Sequence, residues 1–408
     1  MNPIPLLIVE DNPIYAEILQ QLLQVLSSDM QFAVHWVDTA EKAQAAVQQK
    51  NYDFVLLDYR LPTADGLTVL AGLRKLPEDQ QPAVIMLTGM GREEIAVEAM
   101  KRGAKDYLSK DNLDTTSLLR AITSALERRR LETDLRRQSI ALHDRNQEFQ
   151  TDLNLAREIQ LAFLPQTYPV FPAGVAANQS AFQFCHRYLP TTVLGGDFFN
   201  VFPVADGRAG LLISDVMGHG VRAALVTAIL RALAEEFAPV AGDPGLFLSK
   251  INKRLTTILQ RTRLPVFATA CYLVADAQTG QVNFAQAGHP APLHLQRHAG
   301  KITSLAGTIR QPGPALGVFE DATFPVGITT LTAGDSIILY TDGFVDVADK
   351  TGQLYGEERL LAALHQHTNL PTDKLFDTIL TEIKTFSGAL EFNDDVCLLG
   401  MDVKRVSR

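Results

Sequence analysis

The chain has 408 residues, 46% of them hydrophobic and 20% charged, and a net charge of −9, which leaves room for two or three domains with separate cores. The acidic balance argues against a nucleic-acid partner, which demands a basic face. No apolar stretch approaches the roughly 18 residues of a membrane span, and the N-terminus MNPIPLLIVEDN lacks the basic start and long apolar core of a signal peptide. Cys185, Cys271 and Cys397 show no CxxC or Cys/His ligand spacing, so buried reduced thiols in a cytoplasmic protein are expected.

Residues 1 to about 110 alternate short β-rich runs with helical stretches. LLIV (6–9), FAVHWV (32–37), FVLL (54–57), AVIML (83–87) and KDYL (105–108) read as strands, with helical patterns such as Tyr15–Leu26 and Gly66–Leu76 between them. Five such units predict an α/β domain, a doubly wound five-stranded parallel sheet whose ligands bind at the carboxyl ends of the strands. From Thr115 to Phe163 there is neither Gly nor Pro, and charge is dense. Leu119, Ile122 and Leu126 keep heptad spacing, which Leu142, Phe149, Leu153, Ala156, Ile159 and Phe163 resume. ERRRLETDLRRQS interrupts the pattern, so an imperfect coiled coil or a single solvated helix follows, ended by Pro165 and Pro169. Residues 166–408 are strand-rich, with helices over 224–237 and 246–259 and strands within 268–289 and 330–343 joined by turns such as Thr279-Gly280.

Two constellations carry chemistry. In the first, the strand ends deliver Glu10-Asp11, Asp58, Thr88-Gly89 and Lys110 to one edge of a parallel sheet. Two or three carboxylates there suit one Mg²⁺. Asp58 can then act as nucleophile toward a phosphoryl group, while Lys110 neutralises the transferring oxygens and Thr88 hydrogen-bonds the attached phosphate. The text IVEDN (8–12), LLDYRLP (56–62), LTG (87–89) and GAKDYLSK (103–110) resembles the receiver domain of bacterial response regulators. The resemblance implies that Asp58 is the phosphoacceptor and that Glu10 and Asp11 bind metal with it. It also implies that Thr88, Lys110 and Tyr107 form the switch, and that a cognate histidine kinase or phosphotransfer protein supplies the phosphoryl group. The acidic pair is Glu-Asp instead of the family's Asp-Asp, a common and conservative departure.

In the second, Asp197, Asp215, Asp342 and Asp394 each close an apolar run beside glycine or a further acid, in GGDFFN (195–200), LLISDVMGHG (211–220), SIILYTDGF (336–344) and FNDDVCLL (392–399). Four carboxylates in one cleft repel one another and take raised pKa values unless cations neutralise them. Two divalent ions roughly 3.5–4 Å apart, held by such acids and by a backbone carbonyl such as that of Val216, can clamp a phosphate ester while water attacks phosphorus in line. With AGHPAPL (287–293), the ordered motifs are similar to the metal-dependent serine/threonine protein phosphatases, in the bacterial branch of sporulation and stress-response phosphatases. AREIQLAFLP (156–165) looks like the helical entrance of that branch. The resemblance implies an α+β β-sandwich flanked by helices, two Mn²⁺ or Mg²⁺ on Asp197, Asp215, Val216, Asp342 and Asp394, and a phosphorylated anti-sigma-factor antagonist as substrate. Arg187 is a weak candidate for a phosphate-gripping arginine. Asp395 has no assigned role, and His219 and His289 are either proton donors, metal-shell residues or structural histidines. GGDFF superficially resembles a diguanylate cyclase signature, but Phe198 stands where those enzymes need an acid.

The expected organisation is a receiver over 1–124, a coiled-coil linker over 125–165 and a phosphatase domain over 166–408, dimeric through the linker. A catalytically silent adaptor for a sigma or anti-sigma factor is the alternative. A DNA-binding output is not, because the C-terminal region offers no basic helix-turn-helix.

Overall fold

A computed structural model describes residues 3–26, 30–77, 80–89, 93–204, 207–261, 266–388 and 392–406. The chain forms two compact units, Met1–Asn146 and Gln147–Arg408.

The first unit holds strands β1 (Ile4–Val9), β2 (Phe32–Val37), β3 (Phe54–Asp58), β4 (Ala83–Thr88) and β5 (Asp106–Ser109), all parallel, in the order β2-β1-β3-β4-β5. Helices α1 (Pro13–Val25), α2 (Ala40–Gln49), α3 (Gly66–Leu73) and α4 (Glu93–Lys101) connect them, and α5 (Thr115–Phe163) follows. Every residue of β3 and β4 is buried, as a strand covered on both faces requires. Side chains alternate between faces: Leu7, Val9, Val55 and Leu57 pack with α2 and α3, while Leu6, Ile8 and Leu56 pack with α1 and α5. Polar caps start the helices that follow the strands. The Asn12 side chain accepts from the amides of Ile14 and Tyr15, and Asp65 accepts from Thr68.

Helix α5 is continuous over 49 residues, and its start corrects part of the coiled-coil expectation. Ile122 is fully buried among β1, β3 and α1, with Leu119 and Leu126 partly buried against the same core. Those three residues keep helical spacing because they cover the sheet. Farther on, Leu135, Leu142 and Phe149, seven residues apart in sequence, are each more than half exposed.

The second unit contains two five-stranded sheets. One runs β13 (Val326–Thr330), β10 (Gln281–Ala287), β9 (Ala268–Asp276), β8 (Arg208–Val216), β7 (Phe198–Val204); the other runs β12 (Lys301–Ser304), β11 (Leu293–Gln296), β14 (Ser336–Tyr340), β15 (Val396–Val403), β6 (Phe182–Leu189). All pairings within them are antiparallel. Ile337, Leu339, Cys397, Leu399 and Met401 point between the sheets. Their neighbours Ile338, Tyr340 and Leu398 point outward onto α8 (Gly356–Gln366) and α9 (Thr372–Ser387). Helices α6 (Val221–Glu236) and α7 (Pro244–Leu259) bury Val226, Leu230, Phe247 and Ile251 in the core of the first sheet. The result is a β-sandwich with a helical layer on each side, the α+β arrangement expected. No helix among the described residues is long and apolar enough to cross a membrane.

Candidate active sites: two acid clusters

In the first unit, Glu10 follows β1, Asp58 ends β3 and Lys110 follows β5, so the parallel order brings them to one sheet edge. Glu10, Asp11 and Asp58 place ligand oxygens within 4.8 Å of one another, the one such trio among the described residues. Lys110 Nζ lies 2.7 Å from Glu10 Oε2 and 2.8 Å from Asp58 Oδ2. Burial pulls the lysine's pKa down, but hydrogen bonds to Asp58 and Glu10 outweigh it and the net shift is upward. The ammonium is further placed 4.6 Å from the centre of the Tyr15 ring, whose hydroxyl donates to the Lys110 carbonyl. Glu10 is itself raised, by burial first; the Lys110 bond opposes that shift and the charge of Asp58 adds to it. Trp36 Nε1 donates to the Glu10 carbonyl at 2.9 Å, fixing the backbone of the acid loop. Thr88 is buried at the end of β4, one residue beyond the partner of Asp58, and Tyr107 on β5 is 45% exposed. Three carboxylates, two of them in contact with a lysine, make a donor set that suits one hard divalent ion.

The cluster in the second unit is built differently. Asp197 immediately precedes β7 and Asp215 lies one residue from the end of the adjacent β8. Asp342 follows β14 by two residues, and Asp394 and Asp395 lead into β15. Adjacent strands of each sheet thus deliver acids to one end of the sandwich. Asp197 is 1% exposed; its Oδ2 accepts 2.7 Å from Thr341 Oγ1, and its Oδ1 is buried without a hydrogen-bond partner. Burial, then Asp342 and Asp394, push the Asp215 carboxyl up to about 7. Burial and the charge of Asp215 drive Asp197 well above the ordinary carboxylate range. Asp342 is raised as well, by burial and then by Asp346 and Asp394. An unsatisfied buried carboxylate oxygen and a set of mutually repelling acids make a donor set that suits divalent cations. Unlike the trio of the first unit, no three of these acids place ligand oxygens within 4.8 Å of one another.

The loop Gly195-Gly196-Asp197 is held from three directions. Gln160, on the last turn of α5, donates Nε2 to the Gly195 carbonyl at 2.7 Å and accepts the Gly195 amide at 3.1 Å. Thr227 of α6 donates to the Gly196 carbonyl at 3.1 Å. The Gly196 amide donates to Asp395 Oδ2 at 2.5 Å, while Asp395 Oδ1 accepts from the amide and hydroxyl of Thr191. Gly196 is required because a Cβ there would lie 2.7 Å from the Val216 carbonyl oxygen, the expected backbone ligand. Gly343 is required for a similar reason: its Cβ would run into the Asp395 carbonyl.

Several sequence expectations resolve at this point. Arg187 is not near the acids: it pairs with Asp377 at 2.8 Å and donates to the Asp373 carbonyl, both of α9. His219 is exposed on the loop before α6. His289 is buried, its Nδ1 2.7 Å from Thr269 Oγ1, and burial drives its pKa down to about 3. Cys397 is buried, and its amide donates to Thr341 Oγ1 at 2.9 Å. Gln160, Thr227 and Thr341 were not singled out from sequence. Thr341 adjoins the TDG motif and could have been. Gln160 and Thr227 sit in helical runs where only the tertiary contact marks them.

The family comparisons agree with the two-unit geometry. Residues 6–123 match the model of the response regulator receiver domain, and residues 205–404 match that of Stage II sporulation protein E. A phosphoserine phosphatase of Bacillus subtilis, RsbP, is 30% identical over 254 residues, 62% of this chain and 58% of that protein. Protein IcfG of Synechocystis is 25% identical over 268 residues, 60% of this chain and 40% of that protein. The chain therefore spans about half the length of these curated relatives. The SiaA-PP2C domain of Pseudomonas aeruginosa superposes with a TM-score of 0.53 at 23% identity, covering 63% of this chain and 98% of that one, and shares the fold. The chain joins a response-regulator receiver domain to a phosphatase-fold domain of the SpoIIE type, and it is homologous to RsbP.

Proposed function

We propose that the chain is a metal-dependent phosphoserine/phosphothreonine protein phosphatase controlled by phosphorylation of Asp58. The observation that carries this reading is the convergence of acids on the buried Asp197, with half-buried Asp215 and Asp342 beside it also held above the ordinary carboxylate range. Asp197, Asp215, Asp342, Asp394 and the Val216 carbonyl would hold two Mn²⁺ or Mg²⁺. When bound, such ions neutralise the phosphoester and acidify the water that attacks phosphorus in line. The chain's own part is positional: Thr341 orients Asp197, and Gln160, Thr227 and Asp395 fix the loop that carries it. The RsbP likeness supports a phosphoserine substrate, which we assign to a phosphorylated anti-sigma-factor antagonist in a partner-switching pathway.

In the receiver, Asp58 accepts the phosphoryl group from a histidine kinase or phosphotransfer protein, with Mg²⁺ on Glu10, Asp11 and Asp58 and with Lys110 neutralising the new charge. Thr88 and Tyr107 then repack. Domain limits of 1–124, 125–165 and 166–408 put a gap-free helix between the two sites, and its exposed Leu135, Leu142 and Phe149 support a homodimer through a coiled coil. Helix α6, tied to Gly196 through Thr227, is the second element able to move the Asp197 loop.

The test is Mn²⁺-dependent hydrolysis of p-nitrophenyl phosphate by the full chain and by Asp215→Ala, each with and without beryllofluoride. Hydrolysis by the wild type alone, changed by beryllofluoride, is the expected result. An inactive wild type returns the chain to the adaptor reading, and a rate and oligomeric state both indifferent to beryllofluoride remove the receiver's control.

A further inference from the structure

The mouth of the phosphatase cleft carries an apolar rim that the acid chemistry does not use. Val216 at the end of β8 pairs with Ala268 of β9, and Ala268 forms a bridge with Leu316, so three chain segments end in one row. One residue past that row, the Met217 amide donates to the Phe267 carbonyl at 3.0 Å. Two residues past Leu316 comes Val318, then Phe319. These four side chains are 50%, 37%, 46% and 63% exposed, in the order Met217, Phe267, Val318, Phe319. Val221 and Leu225, one turn apart on the first turns of α6, are 46% and 62% exposed, and a cavity of about 730 Å³ opens beside Val318 and Phe319. Clustered exposure of large apolar residues marks a contact surface, whereas single exposed ones are ordinary.

We propose that this rim is the docking surface for an apolar segment of the phosphoprotein substrate lying next to its phosphorylated residue. The inference rests on the phosphatase reading and deepens it, because it says which substrates the cleft selects. Its support is continuity: the rim begins at the residue after Val216, whose carbonyl adjoins Gly196 and the acid loop. A second copy of the chain seated there would cover the approach to the acids, while a substrate segment running along the rim would lead its phosphoester into them. The α6 end of the rim is also tied to that loop, since the Gly220 amide donates to the Leu194 carbonyl at 3.1 Å.

The experiment uses the full chain with Mn²⁺ and three substrates. These are p-nitrophenyl phosphate and two phosphoserine peptides of equal length and charge, one with leucine and phenylalanine flanking the phosphoserine and one with alanine and serine there. The wild type is expected to favour the apolar peptide in kcat/KM by about tenfold, the ratio that burying one leucine-sized side chain provides. Leu225→Glu and the uncharged Leu225→Gln should both bring the ratio toward unity through KM, leaving p-nitrophenyl phosphate hydrolysis unchanged. Equal rates on the two peptides, or a preference that survives both variants, overturns the proposal. So does a changed oligomeric state in Leu225→Glu with the preference intact, which would make the face a contact between copies. Failure of the wild type on all three substrates removes the phosphatase reading and the rim with it, whereas ester hydrolysis with equal peptide rates removes the rim alone.

Discussion

The receiver gathers its acids around a cation of its own, since Lys110 pairs with both Glu10 and Asp58. Asp197, Asp215, Asp342 and Asp394 have no ion pair among the described residues, and the most buried of them are pushed farthest from ordinary carboxylate behaviour. The difference teaches what each cluster is built to receive. On the proposed function, a compensated trio would need one ion and would tolerate one incoming phosphoryl group, with the lysine placed to follow the charge. An uncompensated set is destabilised until positive charge arrives, and on the proposed function bound metal would relieve that repulsion.

The sharpest break in this comparison is Asp215→Asn. It should lower Mn²⁺-dependent p-nitrophenyl phosphate hydrolysis on the order of a thousandfold. At the same time it should stabilise the metal-free chain at pH 8 by about 1–3 kcal/mol, because a repelling charge is gone. Urea denaturation reads the second effect, and a loss of stability would mean that Asp215 is compensated after all.

The pH dependence sharpens the same point. A carboxyl raised in the folded state to about 7 binds more protons there than in the unfolded chain. The stability it lends is complete below about 4 and is lost as pH rises through about 7. The metal-free protein should therefore unfold more easily at pH 8 than at pH 5, and the rise in Tm caused by Mn²⁺ should be larger at pH 8. Thermal unfolding with and without Mn²⁺ at the two values checks the sign.

Gln160→Leu probes the loop instead of the charge. It strands the buried Gly195 amide and carbonyl, with an expected cost of about 2 kcal/mol or more and weaker Mn²⁺ binding by calorimetry. An unaltered Mn²⁺ affinity would separate the helix from the site. The smallest expected effect on hydrolysis comes from Lys110→Ala, which should leave the basal rate near its wild-type value while abolishing the response to beryllofluoride.

Much of both sites was legible because glycine and acids at strand ends are local signals. Asp58 as the last residue of a wholly buried strand, and Asp215 one residue from the end of another, follow from apolar runs that stop at a carboxylate. The heptads at Leu119, Ile122 and Leu126 misled because a helix covering a sheet and a helix covering another helix share a period; only the tertiary contact tells them apart. Gln160 was invisible for a related reason. An amide in a charged helix carries no pattern until Gly195 is found against it, and Asp395 became a loop anchor only once Thr191 and Gly196 were seen to converge on it.

One measurement bears most directly on the claim that the C-terminal acids form an uncompensated, metal-demanding site: calorimetric titration of Mn²⁺ at pH 7, in buffers of different ionisation enthalpy, into the wild type and Asp215→Asn. The account predicts that the wild type takes up more Mn²⁺ per chain and releases more protons on binding than the variant. Equal uptake and equal proton release would contradict it.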